Sequence, residues 1–223
     1  MDIQRKIDLL CRSLDKQTVS LSKEKSNKLL LLGQQDSLFL KSIKRKADSL
    51  GVPCDFGKII PPYTGVVADK ESSGSVRFPI MSDVDVDCLK SPGMSSAARA
   101  VLYLLMEQKM VSGKTITIVG RGHAVKGLAQ ALIEENATVT VAHSKTPDLY
   151  RATEDKDVVI YATPILTQYP CFNTRDLVID LGNCFTENDR ESFKCDFVGN
   201  IGRLTVSVLL NSFAKYHDRI FVI

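Results

Sequence analysis

Between residues 113 and 183, short apolar runs rich in β-branched residues alternate with amphipathic ones, and this alternation constrains the fold more than any other feature. "KTITIVG", "ATVTVAHS", "KDVVIYAT" and "RDLVIDLGN" read as strands, while "HAVKGLAQALIEEN" and "TPDLYRATED" read as the helices between them. Strands that alternate with helices pair in parallel through right-handed crossovers, which cover the sheet on both faces. A Ser-rich helix start, "SPGMSSAARAVLYLLMEQKMVSG", leads into the first of these strands.

The first strand runs into "IVGRGHAVKG", a glycine turn followed by a helical pattern. A dinucleotide-binding turn has the form G-x-G-x-x-G, and Gly120 and Gly122 stand where backbone would approach a pyrophosphate. Val125 occupies the third glycine position, which serves helix–strand packing, and Gly127 follows two residues later. An NAD site carries an acid at the tip of the second strand to hold the ribose 2′-OH. Here that tip reads His143, Ser144, Lys145, Thr146, and Arg121 lies inside the turn. Two cations and a hydroxyl suit a 2′-phosphate, so the residues favour NADP over NAD. The competing reading is a polar surface turn without a ligand.

Before this unit, "IQRKIDLLCRSLDKQTVSLS" has helical spacing, "NKLLLLG" reads as a buried strand, and "DSLFLKSIKRKADSLGV" is helical. Asp36 or Ser37 is the expected cap of the second helix and Gly51 its stop. The Pro- and Gly-rich stretch from "PCDFGKIIPPYTG" to "SSGSVRFPIM" reads as irregular. The expected architecture is α/β: an N-terminal α/β domain over 1–90, a Rossmann-like parallel-sheet domain over 91–201, and a helix over 202–217 that returns to the first domain.

The composition, 223 residues with 44% hydrophobic and 25% charged, is that of a globular protein of one large or two small domains. A net charge of +3, few aromatics and no Trp argue against nucleic acid and fit a small anionic ligand. The six cysteines form no C-x-x-C pair and there are three histidines, so no metal spacing is present and reduced thiols are expected. The charged N-terminus has no apolar signal core, and no run approaches the ~20 apolar residues of a membrane span, so a soluble, cytoplasmic protein is expected.

Together "GKTITIVGRGHAVKG", "ATVTVAHSKT", "KDVVIYAT" and "VIDLGN" resemble the methylenetetrahydrofolate dehydrogenase/cyclohydrolase (FolD-type) family. That family has a G-R-S-x-x-V-G-x-P turn, in which valine at the position of Val125 is expected, and an A-T-V-T-x-x-H-S-x-T second strand. The similarity is strong over 113–183 and patchier on either side. It implies a homodimer formed through the Rossmann unit and NADP held at Gly120, Arg121, Gly122, His143, Ser144, Thr163 and Asn183. It also implies a reduced folate bound mainly by the N-terminal domain. The implied chemistry is oxidation of 5,10-methylene-tetrahydrofolate to the methenyl form, followed by hydrolysis to 10-formyl-tetrahydrofolate.

The family's Y-V-x-x-K helix falls on Leu40 and Lys44, so the lysine survives and the tyrosine does not. Lys41, Arg45 and Lys46 are like charges that would lower the pKa of Lys44; alternatively, the cluster is a solvated basic face. V-Q-L-P-L-P falls on "VRFPIM", which puts Arg77 in place of glutamine beside Phe78, and D-V-D-G falls on "DVDC", which points to Asp87 as the pterin-holding acid. The late P-V-P-G-G-V-G-P-M-T segment keeps Gly199 and Gly202 but loses its prolines. Lys44 and Asp87 are then the catalytic residues, with Leu40, Arg77, Phe78, Gly199 and Gly202 on the substrate. Leu40 and Arg77 bear most heavily on the cyclohydrolase step. Two other readings stay open: a non-catalytic relative that binds nucleotide or folate, and a Rossmann dehydrogenase for another small acid.

Overall fold

A computed structural model describes residues 2–22, 28–32, 37–57, 65–68, 85–89, 91–166, 168 and 170–216. These fall into two compact units, Asp8–Ser96 with Arg203–Ile223, and Met1–Ile7 with Ala97–Gly202.

In the unit containing Asp8–Ser96, helix α1 (Ile3–Ser22) buries Cys11, Leu14 and Thr18 along one face. Strand β1 (Leu29–Leu32) is central, with β2 (Cys54–Phe56) and β3 (Gly65–Ala68) parallel to it on either side. Both flanking strands lie in the stretch that reads as irregular, where neither is long enough to show a period. Helix α2 (Leu38–Leu50) begins at Ser37, whose hydroxyl accepts the Leu40 N–H, and stops at Gly51, at φ +70°. Of the two expected caps Ser37 is the one used; Asp36 lies outside the described residues.

Helix α2 buries Leu40, Ile43 and Ala47 against Leu29, Leu31 and Val67 of the sheet. The last helix, Gly202–Tyr216, adds Val206, Leu209, Leu210 and Phe213 to the same core. Its Asn211 Nδ2 reaches back to the Leu14 carbonyl (3.3 Å) and the Thr18 hydroxyl (3.4 Å), which satisfies polar groups that burial would otherwise strand.

The other unit carries helix α3 (Ser96–Glu107) and strands β4 (Thr115–Val119), β5 (Thr138–Ala142), β6 (Val158–Tyr161), β7 (Leu177–Asp180) and β8 (Asp196–Val198). They form one parallel sheet in the order β5-β4-β6-β7-β8. Every residue of β6 and β7 is buried, as befits central parallel strands covered on both faces. Helices α4 (Leu128–Glu134), α5 (Leu149–Thr153) and α6 (Glu187–Ser192) complete it. Strand β8 and helix α6 are further elements that hydrophobic periodicity did not suggest.

The helix expected from His123 onward is broken. A 3-10 turn over His123–Val125 comes first, and α4 starts only at Leu128, after Gly127 at φ +79°. Gly127 thus earns its place through a left-handed conformation, the state in which a Cβ is unfavourable.

Candidate functional site

The chain leaves β4 for β5 on one side and then crosses to β6 on the other, so the sheet has a topological switch point at the end of β4. Open α/β sheets bind ligands at such points, beyond the carboxyl ends of the strands. The glycine turn lies there. The Gly120 N–H donates to the Ala142 carbonyl (2.7 Å), and the Ala162 N–H donates to the Val119 carbonyl (2.8 Å). Gly120 is held at φ +119°, and a Cβ on it would come within 2.7 Å of the Ala162 oxygen. Gly122 has ordinary extended geometry and open space where a Cβ would go. Gly120 is therefore required by the fold, and Gly122 by nothing around it.

Among the described residues, the backbone N–H groups of Arg121 and Gly122 have no hydrogen-bond partner, and the Arg121 side chain is exposed. With α4 only seven residues long and displaced by the 3-10 turn, the donors this end of the sheet offers to an anion are these turn N–H groups and Arg121.

On one flank, the tip of β5 is folded into a tight turn. The His143 N–H donates to Thr146 Oγ1 (2.8 Å), Thr146 N–H to the His143 carbonyl (2.8 Å), and Lys145 N–H to His143 Nδ1 (3.1 Å). Ser144 and Lys145 are exposed at the tip.

On the other flank, Thr163 Oγ1 donates to the Ile165 carbonyl (2.8 Å), which turns the chain out of β6. Beside it, Gly182 leaves no room for a side chain, since a Cβ would lie within 1.9 Å of the Thr163 oxygen. Asn183 follows at φ +53°, a left-handed conformation that Asn tolerates and a β-branched residue does not. The structure thus brings Gly120, Arg121, Gly122, His143, Ser144, Thr163 and Asn183 to one edge of one sheet. Sequence reasoning did not single out Gly182; the glycine that ends "VIDLG" was its signal.

The residues expected to act on the substrate are placed differently. Lys44 Nζ pairs with Asp48 Oδ1 at 2.5 Å, one turn along the same helix. That hydrogen bond raises the Lys44 pKa above its ordinary value. The expectation of a lowered pKa is corrected: the nearest charge is an anion at i+4, and it outweighs the basic neighbours. Leu40, expected on the substrate, lies inward. Its side chain is fully buried in the core with Leu29 and Ile43.

Asp87 is 6% exposed, and its Oδ1 accepts the N–H of Ser96, the first residue of α3, at 2.6 Å. The neighbouring Asp85 accepts from the Leu89 N–H and from both the N–H and hydroxyl of Ser91. Cys88 takes φ +53° where the family motif has glycine, and its sulfur abuts Gly93. Arg77 and Phe78 lie outside the described residues. Gly199 packs beside the Arg190 guanidinium, which in turn lies 5.4 Å from the centre of the Phe197 ring. Gly202 opens the last helix, with its N–H on Asn200 Oδ1 at 2.8 Å.

Burial pushes the thiols of Cys54 and Cys184 up to about 12 and that of Cys195 up to about 11. None of the three is poised as a thiolate nucleophile. Among the described residues, no group of three His, Cys, Asp or Glu could hold a metal ion. No helix among them is long and apolar enough to cross a membrane.

Residues 95–220 match the family model for the tetrahydrofolate dehydrogenase/cyclohydrolase NAD(P)-binding domain. The chain belongs to this family. A bifunctional FolD protein of Campylobacter hominis is 33% identical over 121 residues, covering 47% of this chain and 43% of that protein. The chain spans about half the length of curated FolD relatives such as this one. The fold is that of solved FolD structures. The Trypanosoma brucei methylenetetrahydrofolate dehydrogenase-cyclohydrolase, complexed with NADP cofactor and inhibitor, superposes with a TM-score of 0.71 at 19% identity, covering 100% of this chain and 98% of that one. The NAD-dependent methylenetetrahydrofolate dehydrogenase of Saccharomyces cerevisiae gives 0.73 at 13% identity, with 96% of each chain covered.

Proposed function

We propose that this FolD-family chain binds NADP at the β4 glycine turn and oxidises 5,10-methylene-tetrahydrofolate to 5,10-methenyl-tetrahydrofolate. The observation that carries the reading is the switch-point edge, where a glycine turn whose backbone donors have no partner among the described residues, with Arg121, sits beside an acid-free strand tip bearing Ser144 and Lys145. Those residues fit a dinucleotide with a 2′-phosphate: the turn donors would hold the diphosphate, and two cations with a hydroxyl would hold the extra phosphate. When bound, NADP accepts the hydride from the methylene carbon. The residues of the chain orient and bind, which is most of what hydride transfer asks of a protein.

In this reading Asp87 has two tasks, capping Ser96 with one oxygen and holding the pterin. Lys44 is an ammonium paired with Asp48, and it lacks a phenol one turn before it. A lysine kept protonated is a poor base, so cyclohydrolase activity is expected to be weak or absent. The same two facts favour a second reading, a relative that binds nucleotide or folate without turnover. The protein is further inferred to be cytoplasmic and to form a homodimer through edge strand β5, where Val141 and the nearby Ile133 are about half exposed.

The decisive measurement is NADPH formation by the purified protein on 5,10-methylene-tetrahydrofolate. Turnover lost in Asp87→Ala and retained in Lys44→Met supports the dehydrogenase. Tight NADP binding with no turnover on any reduced folate supports the second reading instead.

A further inference from the structure

Gln168 lies beyond β6, in the loop on one flank of the glycine turn, yet its side chain bonds to the loop on the other flank. Its Nε2 donates to the carbonyls of Thr146 (3.2 Å) and Pro147 (3.4 Å), and its Oε1 accepts the N–H of Leu149 (3.0 Å). Strands β5 and β6 stand on opposite sides of β4, so this one carboxamide ties together the two loops between which the β4 turn emerges. The internal bonds of the β5 tip close the His143–Thr146 turn on itself, and the pairing of Ala142 with β4 holds its strand end. Gln168 adds an anchor at the other end, at the carbonyl of Thr146 and just past it.

We propose that Gln168 is a positioning residue for cofactor choice, holding the Ser144–Lys145 tip where a 2′-phosphate would lie. This inference rests on the nucleotide reading given above. A group of this kind acts through the loop and not by touching the cofactor, so its loss affects the ligand that carries the 2′-phosphate and spares the one that does not.

The test titrates NADPH and NADH into wild-type protein, Gln168→Met and Gln168→Glu, following nucleotide fluorescence. Methionine keeps the length and loses all three bonds; glutamate keeps the acceptor for Leu149 and loses the donors. Both variants are expected to weaken NADPH by about three- to tenfold, the size of one or two lost hydrogen bonds, with NADH changed less than about twofold. In a Lys145→Ala background the same substitutions are expected to have a smaller effect on NADPH, because the group that Gln168 positions is gone.

Equal losses for both nucleotides, or none, overturn the inference, as does tighter NADPH binding, which would make the tie an obstruction. A wild-type protein that binds neither nucleotide overturns both this inference and the reading beneath it. Wild-type binding with an unchanged preference in the variants overturns this inference alone.

Discussion

At Gly120 the backbone is held at φ +119° with the Ala162 carbonyl against the missing Cβ, while at Gly122 the geometry is ordinary and the space is empty. Gly120→Ala is therefore expected to cost about 1–3 kcal/mol in urea unfolding, from backbone strain and a displaced strand end. Gly122→Ser, which restores the residue of the family turn, should stay within about 0.5 kcal/mol of wild type. Lys44 offers a second test. Its pKa is raised by Asp48, so the pair stabilises the fold fully below the unfolded value of roughly 10.4 and loses that contribution as pH rises through the folded one. As a partly exposed i,i+4 pair it is worth only ~0.3–0.5 kcal/mol. An NMR titration of the lysine side chains should show Lys44 titrating above its ordinary value, and returning toward it in Asp48→Ala. A Lys44 that titrates below the ordinary value would restore the idea of a lysine activated by like charges.

Strand β4 is located by its neighbours as much as by its own residues. Asp157, just before β6, accepts the Thr115 N–H at 2.7 Å and the Thr115 hydroxyl at 2.8 Å, which clamps the start of β4 to the start of β6. The Thr115 backbone bond leads in lowering the Asp157 pKa below the ordinary carboxylate value. A lowered pKa means that this stabilisation is present above the unfolded value of roughly 3.9 and is lost as pH falls through the folded one. Acid unfolding followed by circular dichroism should thus begin at higher pH in wild type than the core alone would require. Asp157→Asn should flatten that acid limb while lowering stability near neutral pH.

The elements also differ in how legible they were. Strands β4 to β7 declared themselves because each is an apolar run bounded by turn residues. Strands β2, β3 and β8 have three or four residues each and lack that framing, and they form where a neighbouring strand offers them a ladder.

Across the molecule, two parallel sheets sit in two units, and the last helix returns to the core of the sheet formed by β1, β2 and β3. Edge strand β5 leaves Val141 on the surface of the other sheet. If β5 joins two copies, Val141→Lys should convert a dimer into a monomer in light scattering, at unchanged helical content. A wild-type monomer at micromolar concentration would refute that assembly.

The residues alone determined the alternation of strands and helices, the glycine turn and its cation-bearing neighbour, since each rests on local chemistry: side-chain period, backbone freedom, charge type. They also carried the family, because those local strings are what the family shares. What they could not determine were the neighbours that meet across long sequence separations. Asp48 beside Lys44 was in principle visible at i+4; the burial of Leu40, the Ala162 oxygen against Gly120, the Thr163 oxygen against Gly182, and Gln168 on the carbonyl of Thr146 were not. Those contacts depend on where the sheet places each strand end, and only tertiary packing decides that.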